Sequence, residues 1–455
     1  MQRIEPQNVL PVLSKHILVD GFDIIVDLEK SHGSYLVDAR DGRKYLDFFT
    51  FFATLPIGLN HPGLLTPQFK KKLLNAALNK PSNSDFYTIQ MAEFIDTFAR
   101  IAMPESLPHL FLISGGALAV ENALKTAFDW KVRLNFEKGY TQERGSQVIH
   151  FLQAFHGRSG YTLSLTNTAD PRKTKYFPKF NWPRVINPKI IFPLNEENLK
   201  KVQQAEQMSL QQIKRAIQDN PDDIAAIIIE PIQGEGGDNH FRPEFFQELR
   251  TIADENDIIL IFDEVQSGLG VSGKMWAYQH HGIEPDIVAF GKKAQVCGIM
   301  AGKRIDLVEN NVFVESSRIN STWGASLVDM VRCQRYLEII EEENLVENAA
   351  KVGSYFQNQL FEIQQKYPML ISNVRGKGLF IAFDLPAEYL RDQFMREARK
   401  NNMLVLKCGE RSIRFRPSLN ITTAIVDEAI GLIDLTLSLL CKEIEHQGFE
   451  GKGEL

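Results

Sequence analysis

The chain has 455 residues, 44% of them hydrophobic and 24% charged, enough core-forming material for about two to three domains. A formal net charge of −6 argues against a nucleic-acid binder. No apolar run reaches membrane-spanning length, and no apolar signal region follows the Met1–Pro6 start, so a soluble protein of the cytoplasm is expected. The four cysteines, Cys297, Cys333, Cys408 and Cys441, lie far apart without a Cys-x-x-Cys pair, which suits a reducing compartment and argues against a zinc or other metal site.

Residues 1–20 read as a docking arm with an apolar anchor from Val9-Leu10 to Val12-Leu13. A small antiparallel sheet is expected next, from Ile24–Val26, Ser34–Val37 and Lys44–Phe48, with a turn at Asp41-Gly42. Helical spacing follows in Pro67–Ala77 and Thr88–Arg100, separated by a polar loop over 80–85. Strands and helices then alternate. The expected strands are Leu110–Ile113, Val148–Leu152, Ile190–Phe192, Ile224–Ile229, Ile258–Phe262 and Ile287–Phe290, between helices such as Leu118–Phe136, Leu199–Gln218 and Pro243–Glu255. Continuous apolar strands suit a parallel sheet covered on both faces, so the large unit reads as a doubly wound α/β domain. A long helical region over Ser326–Ile363 leads into a second, smaller α/β unit. Its strands are expected at Met369–Ile371, Gly378–Asp384, Met403–Leu406 and Ile413–Phe415, before a last helix, Ile425–Ile444, and a frayed Gly/Glu/Lys tail. The resulting division is 1–62 for the arm and hairpin, 63–325 for the large domain and 326–455 for the small one.

Open α/β sheets bind ligands at the carboxyl ends of their strands. Several of those ends carry reactive residue types. Ser114-Gly115-Gly116-Ala117 runs from a strand into a helix, and is either an anion site of bare amides or a plain turn. Phe155-His156-Gly157-Arg158 holds a ring that can stack and a guanidinium that can clamp a carboxylate, or is a glycine-broken surface loop. Glu230 and Glu235 are a pair for acid–base work, partners for a cation, or solvated loop acids. Asp263 ends an apolar strand and either faces a protonated ring nitrogen or caps the next turn. The Ile287–Phe290 strand stops at Gly291 and delivers Lys292 and Lys293, as a desolvated nucleophilic amine or as loop lysines. Gly268–Gly273 matches G-x-G-x-x-G, but Asp263–Gln266 separates it from the strand, leaving nicotinamide dinucleotide binding as a lesser alternative. Phosphate cradle, stacking ring, strand-end acid and strand-end amine together match the needs of pyridoxal 5′-phosphate.

These residues resemble the class III, or ω-amino acid, aminotransferases that use pyridoxal phosphate. Phe262-Asp263-Glu264-Val265-Gln266, Pro285-Asp286 and Gly291-Lys292 carry the likeness. Phe290–Gly298, Asn320–Gly324 and Ser114–Ala123 are most similar to members acting on the ε-amine of L-lysine. The lysine loop lacks the paired glycines found in many other members. The resemblance implies fold type I, with a large, mainly parallel sheet and a smaller α/β domain built from both termini. It also implies Lys292 as Schiff-base lysine and proton shuttle, Asp263 at the ring nitrogen, Gln266 at the ring hydroxyl, and Phe155 and Val265 on the two ring faces. Gly116 and Ala117 would give amides to the phosphate, Thr322 would reach the partner subunit's cofactor in a homodimer, and Glu230 would lie near the ring. Arg158 would clamp the substrate carboxylate, Asn320 would help hold lysine, and Glu235 would mask Arg414 until 2-oxoglutarate enters. The implied reaction transfers the ε-amino group of L-lysine to 2-oxoglutarate, giving 2-aminoadipate 6-semialdehyde and L-glutamate. Ornithine or 4-aminobutyrate aminotransferase is the alternative, and a non-catalytic protein on the same scaffold a further one.

Overall fold

The apolar strands of the middle of the chain assemble into one seven-stranded sheet. A computed structural model describes residues 4–450. In space the strands run in the order His109–Ile113, Cys297–Ala301, Ile287–Phe290, Ile259–Asp263, Ile224–Ile229, Gln147–Phe151 and Arg184–Val185. Every neighbouring pair from Ile287–Phe290 to Arg184–Val185 is parallel, and Cys297–Ala301 runs antiparallel to both its neighbours. Side chains alternate between the two faces. Ile259 and Ile261 pack with Ala123, Leu124 and Trp130 of the Gly116–Glu137 helix, while Leu260 and Phe262 pack with Phe246 and Leu249 of the Pro243–Glu255 helix. Both faces are therefore covered, as continuous apolar strands require.

Several expected boundaries move, each for a physical reason. Cys297–Ala301 is an unexpected strand, because Cys297-Gly298 reads as loop punctuation. Gly298 is instead a close-approach position: a Cβ there would stand 2.2 Å from the Phe111 carbonyl oxygen. The edge strand is Arg184–Val185 rather than Ile190–Phe192. The latter lies between Pro188 and Pro193, and the Ile190 amide donates to the His240 carbonyl, outside any ladder. Met369–Ile371 is likewise no strand; the polar Ser372–Lys377 segment pairs with Phe380–Asp384, and Gly378 (φ +55°) turns the hairpin. The helical stretch after Ser326 is two helices, Leu327–Glu342 and Leu345–Lys366. A further helix, Glu388–Lys400, buries Leu390, Phe394 and Ala398 on one face. The last helix spans Thr423–Glu450, past the expected end at Ile444. The remainder of the tail, 451–455, lies outside the described residues.

The ends of the chain meet. Tyr35–Val37 pairs antiparallel with Lys44–Asp47, as the turn residues predict, while Ile24–Val26 contributes only the isolated bridge Val26–Asp38. The third strand of this sheet is Met403–Leu404, parallel to Lys44–Asp47. The described part of the arm does not bury its anchor: no residue of the Val9–Leu13 helix is buried, and Ile17 and Leu18 are exposed. No helix among the described residues is long and apolar enough to cross a membrane.

Between Asp47 and Thr54 the backbone does something the sequence hides. Thr50, Phe51, Phe52 and Ala53 all have positive φ (45°, 49°, 60° and 69°), a left-handed turn without glycine. Such a conformation costs roughly 1–2 kcal/mol per residue. Asp47 secures its start: Oδ1 accepts from the amides of Phe49 (2.9 Å) and Thr50 (2.8 Å). The Thr50 hydroxyl donates to the Arg416 carbonyl at 2.6 Å, and the Lys293 ammonium to the Ala53 carbonyl at 3.3 Å. Burial raises the Asp47 carboxyl to about 6, against the lowering effect of the two amides. A folded-state value above the unfolded one means that ionisation opposes folding as pH rises through it. Asp47→Ala should cost about 1–3 kcal/mol of stability by orphaning two amides. Asp47→Asn should cost less, and the wild type should gain on it as pH falls from about 7 to 5, both read by thermal unfolding.

Candidate active site

Parallel pairing brings the carboxyl ends of Gln147–Phe151, Ile224–Ile229, Ile259–Asp263 and Ile287–Phe290 to one edge of the sheet. His109–Ile113 joins them, since two antiparallel pairings in succession restore its direction. At this edge lies a cavity of about 820 Å³ lined by Gly116, Ala117, Phe155, Asp263, Val265 and Lys292, with Glu230, Gln266 and Arg158 also on its wall. That size is typical for a bound small molecule.

The lysine pair is resolved by direction. Gly291 is extended and Lys292 has φ 37°, starting a short 3-10 turn, so consecutive side chains diverge. Lys292 lines the cavity. Lys293 is buried on the other side and spends its ammonium on the Ala53 carbonyl. Burial lowers the Lys292 amine to about 8; the nearby Arg414 charge pushes the same way, while Glu230 and Asp263 oppose it. The site thus holds an amine that gives up its proton more readily than an ordinary lysine.

Asp263 sits at the cavity floor, nearly buried. Its Oδ1 accepts from the Val265 amide at 3.0 Å, and its Oδ2 lies 2.8 Å from His156 Nδ1. The His156 Nε2 is buried without a protein partner. In the sequence this histidine is one residue of the Phe155–Arg158 window, and nothing local assigns it a task. Glu230 is also buried, its two oxygens accepting from the amides of Phe155 (2.9 Å) and Gly234 (3.0 Å). Burial first, and then the Asp263 charge, push its carboxyl up. Its main effect on geometry is to tie the Phe155 backbone to the neighbouring strand end.

Gly115 (φ +108°) turns the chain into the Gly116–Glu137 helix, exposing first-turn amides to the cavity. A Cβ on Gly116 would meet Val265 Cγ1 at 2.7 Å, so only glycine lets these two walls approach. Arg158 is exposed at the cavity wall and makes no hydrogen bond or ion pair among the described residues. Gln295, Cys297, Asp329 and Arg332 also line the cavity, with Phe51 and Thr54 from the left-handed turn. Local sequence does not single these out, because each is brought in by tertiary packing. Asp329 and Arg332 carry a faint local signal, as an i,i+3 pair (2.7 Å) in the first turns of a helix.

Several expected site residues lie off this cavity in the single chain or meet other partners; for Thr322, expected at the partner subunit's cofactor, such a position is the one implied. Thr322 and Asn320 are exposed and off this cavity; the Thr322 carbonyl accepts from Ser82 Oγ at 2.5 Å, and Asn320 Oδ1 from the Ser321 amide at 2.7 Å. The implied Glu235–Arg414 pair is not formed. Glu235 Oε1 instead meets Lys173 Nζ at 2.5 Å and the Thr168 hydroxyl at 2.7 Å, and Arg414 Nη1 donates to Gln266 Oε1 at 2.5 Å. The reason is a competing cation: the Pro171–Lys173 turn presents an ammonium beside the carboxylate. Gly268–Gly273 is no dinucleotide loop. It neither follows a strand nor opens a helix, and Cβ atoms at Gly268 and Gly273 would meet Trp276 at 2.5 Å and Ala350 at 2.8 Å.

The chain belongs to the class-III aminotransferases, whose family profile matches residues 19–437. Its cofactor is pyridoxal 5′-phosphate, and the cavity fits that molecule in its helix-start amides, in Phe155 and Val265 on its lining, and in its strand-end acid and amine. L-lysine-epsilon aminotransferase of Mycobacterium tuberculosis is 51% identical over 436 residues, 96% of each chain. A solved structure of lysine aminotransferase from M. tuberculosis, in its internal aldimine form, matches with a TM-score of 0.94 over 96% of this chain and 100% of that one. L-lysine-epsilon aminotransferase of Streptomyces clavuligerus is 46% identical, covering 97% of this chain and 96% of its own. A probable mitochondrial 4-aminobutyrate aminotransferase of Caenorhabditis elegans is 35% identical, covering 90% of this chain and 87% of its own. Borohydride reduction of the holoenzyme should fix the cofactor on Lys292 and leave Lys293 unlabelled, read by peptide mass mapping; label on Lys293 would reverse the choice.

Proposed function

We propose that the enzyme transfers the ε-amino group of L-lysine to 2-oxoglutarate, giving 2-aminoadipate 6-semialdehyde and L-glutamate, and that it works as a cytoplasmic homodimer. The observation that carries this reading is near-full-length identity of 46–51% to L-lysine-epsilon aminotransferases, against 35% to a probable 4-aminobutyrate aminotransferase.

Bound pyridoxal phosphate supplies a carbonyl carbon that accepts an amine and a ring that spreads negative charge. The chain's own residues do the rest. The amides of Gly116 and Ala117 meet the phosphate at a helix start. Phe155 and Val265 would flank the ring, and Gln266 would donate to its hydroxyl. Asp263, backed by His156, keeps a proton on the ring nitrogen. Lys292 Nζ takes the proton from Cε of the lysine substrate and later returns one. Arg158, which has no partner to surrender among the described residues, suits a clamp on the distal carboxylate. Asn320 assists it. Glu235 masks Arg414 while lysine is bound and leaves it when 2-oxoglutarate arrives.

The homodimer is supported by apolar side chains left exposed on the single chain, among them Leu18, Phe86, Tyr87, Ile89 and Trp323. Trp323 adjoins Thr322, which in this reading serves the partner's cofactor. The division at 62/63 and 325/326 belongs to the same proposal, with the Lys44–Asp47 to Met403–Leu404 pairing favouring a small domain made from both termini.

A donor scan with 2-oxoglutarate, reading glutamate, should rank lysine above ornithine and 4-aminobutyrate. Inert lysine would end the assignment. Lys292→Ala should lower turnover by at least about 10²–10⁴-fold while circular dichroism stays unchanged.

A further inference from the structure

We infer that Lys173 and Thr168 form a second seat for the Glu235 carboxylate, and that this seat sets how readily Arg414 accepts an α-carboxylate. The inference rests on the reading above, in which Arg414 serves 2-oxoglutarate, and adds a specificity-determining residue outside the cavity.

The Glu235 backbone cannot move far. Its carbonyl accepts from the Gly409 amide at 2.7 Å. The next residue, Gly236, packs so closely on Gln153 that a Cβ would stand 1.9 Å from the Gln153 carbonyl oxygen. Gln233 and Asn239 close the loop with a bridge. Any exchange of partners by Glu235 is therefore a side-chain rotation. In the observed rotamer Oε1 holds both Lys173 and Thr168, while Oε2 is buried with no hydrogen-bond partner. Arg414 shows the complementary vacancy, since its Nε is buried and unpartnered while Nη1 is held by Gln266. A carboxylate oxygen and a guanidinium N–H each missing a partner describe two seats competing for one acid.

The second seat is built as a unit. The Thr168 hydroxyl also accepts from the Asp170 amide at 3.2 Å, and Asp170 caps the short Pro171–Lys173 turn through the Arg172 amide. Thr168 and Lys173 thus arrive on one turn. Lys173 Nζ also lies 5.7 Å from the Phe155 ring centroid, next to the wall of the cofactor slot. A fully exposed ion pair would be worth little. This one is only partly exposed, at 32% and 19% of the side chains, and carries a second hydrogen bond. Holding Glu235 there leaves Arg414 free for an α-carboxylate. Releasing it returns the acid to Arg414 and favours donors that bring only an amine to the ring.

Removing the cation should tip the balance one way only. In the holoenzyme, Lys173→Met should raise KM for 2-oxoglutarate, and the dissociation constant of glutarate read from the cofactor's absorbance, by about fivefold. kcat/KM for lysine should stay within about twofold. Lys173→Arg should restore the wild-type values. In a Glu235→Ala background, Lys173→Met should have no further effect, since the acid it seats is gone. The inference is overturned if both substrates weaken equally, if neither changes, or if the effect persists without Glu235. Failure of the lysine reading would show separately, as a wild-type enzyme inert to lysine, and glutarate binding would still decide the role of Lys173.

Discussion

Removal of one amine from water at the end of a buried strand is the constraint on which the rest of the molecule depends. Ile287–Phe290 is buried throughout, with a parallel neighbour on one side and an antiparallel one on the other. It leaves the sheet at Gly291, and Lys292 then lies among Glu230, Asp263 and Arg414. Lost hydration and a neighbouring cation both favour the neutral amine, and two carboxylates keep the shift moderate. An amine in that state is usable near neutral pH for attack on a carbonyl and for carrying a proton.

Its chain neighbour shows how the same chemistry is kept out of the reaction. Lys293 is as deeply buried, and burial lowers its amine to about 7. Yet it faces the left-handed Thr50–Ala53 turn and holds a carbonyl there. That turn supplies Phe51 to the cavity, so a strained backbone, held from behind by a second buried lysine, forms part of its wall. Position, more than acidity, separates the cavity-lining amine from the structural one.

The carboxylates divide in a similar way. Asp263 and Glu230 are anchored by backbone amides and a histidine, and their oxygens have few other positions to take. Glu235 hangs from an equally rigid backbone, but its side chain is only partly buried in its ion pair with Lys173, and its second oxygen has no hydrogen-bond partner. Rigidity suits groups proposed to lie against the cofactor. A choice of partners suits the proposed exchange of Glu235 between Lys173 and Arg414.

Much of this was legible in the residues themselves. Continuous apolar runs such as Ile224–Ile229 specify a sheet buried on both faces, because nothing else shelters six such side chains in succession. Motif spacing around Asp263 and Lys292 carried the family and its cofactor, since that chemistry needs an acid and an amine at strand ends. Local pattern failed where the deciding contact was distant. Gly298 looks like a loop until Phe111 is beside it, and Ser372–Lys377 is polar but finds a ladder partner. Thr50–Ala53 turns left because Asp47, Arg416 and Lys293 together compel it. Most plainly, Glu235 and Arg414 were matched by charge and family pattern, while the nearer cation proved to be Lys173. Composition and period determine what a segment must hide from water, and so the sheet, its helices and the residues at its edge. Which charged groups meet is decided only when the chain closes, because electrostatic partners are chosen by distance in space, and distance along the sequence does not report it.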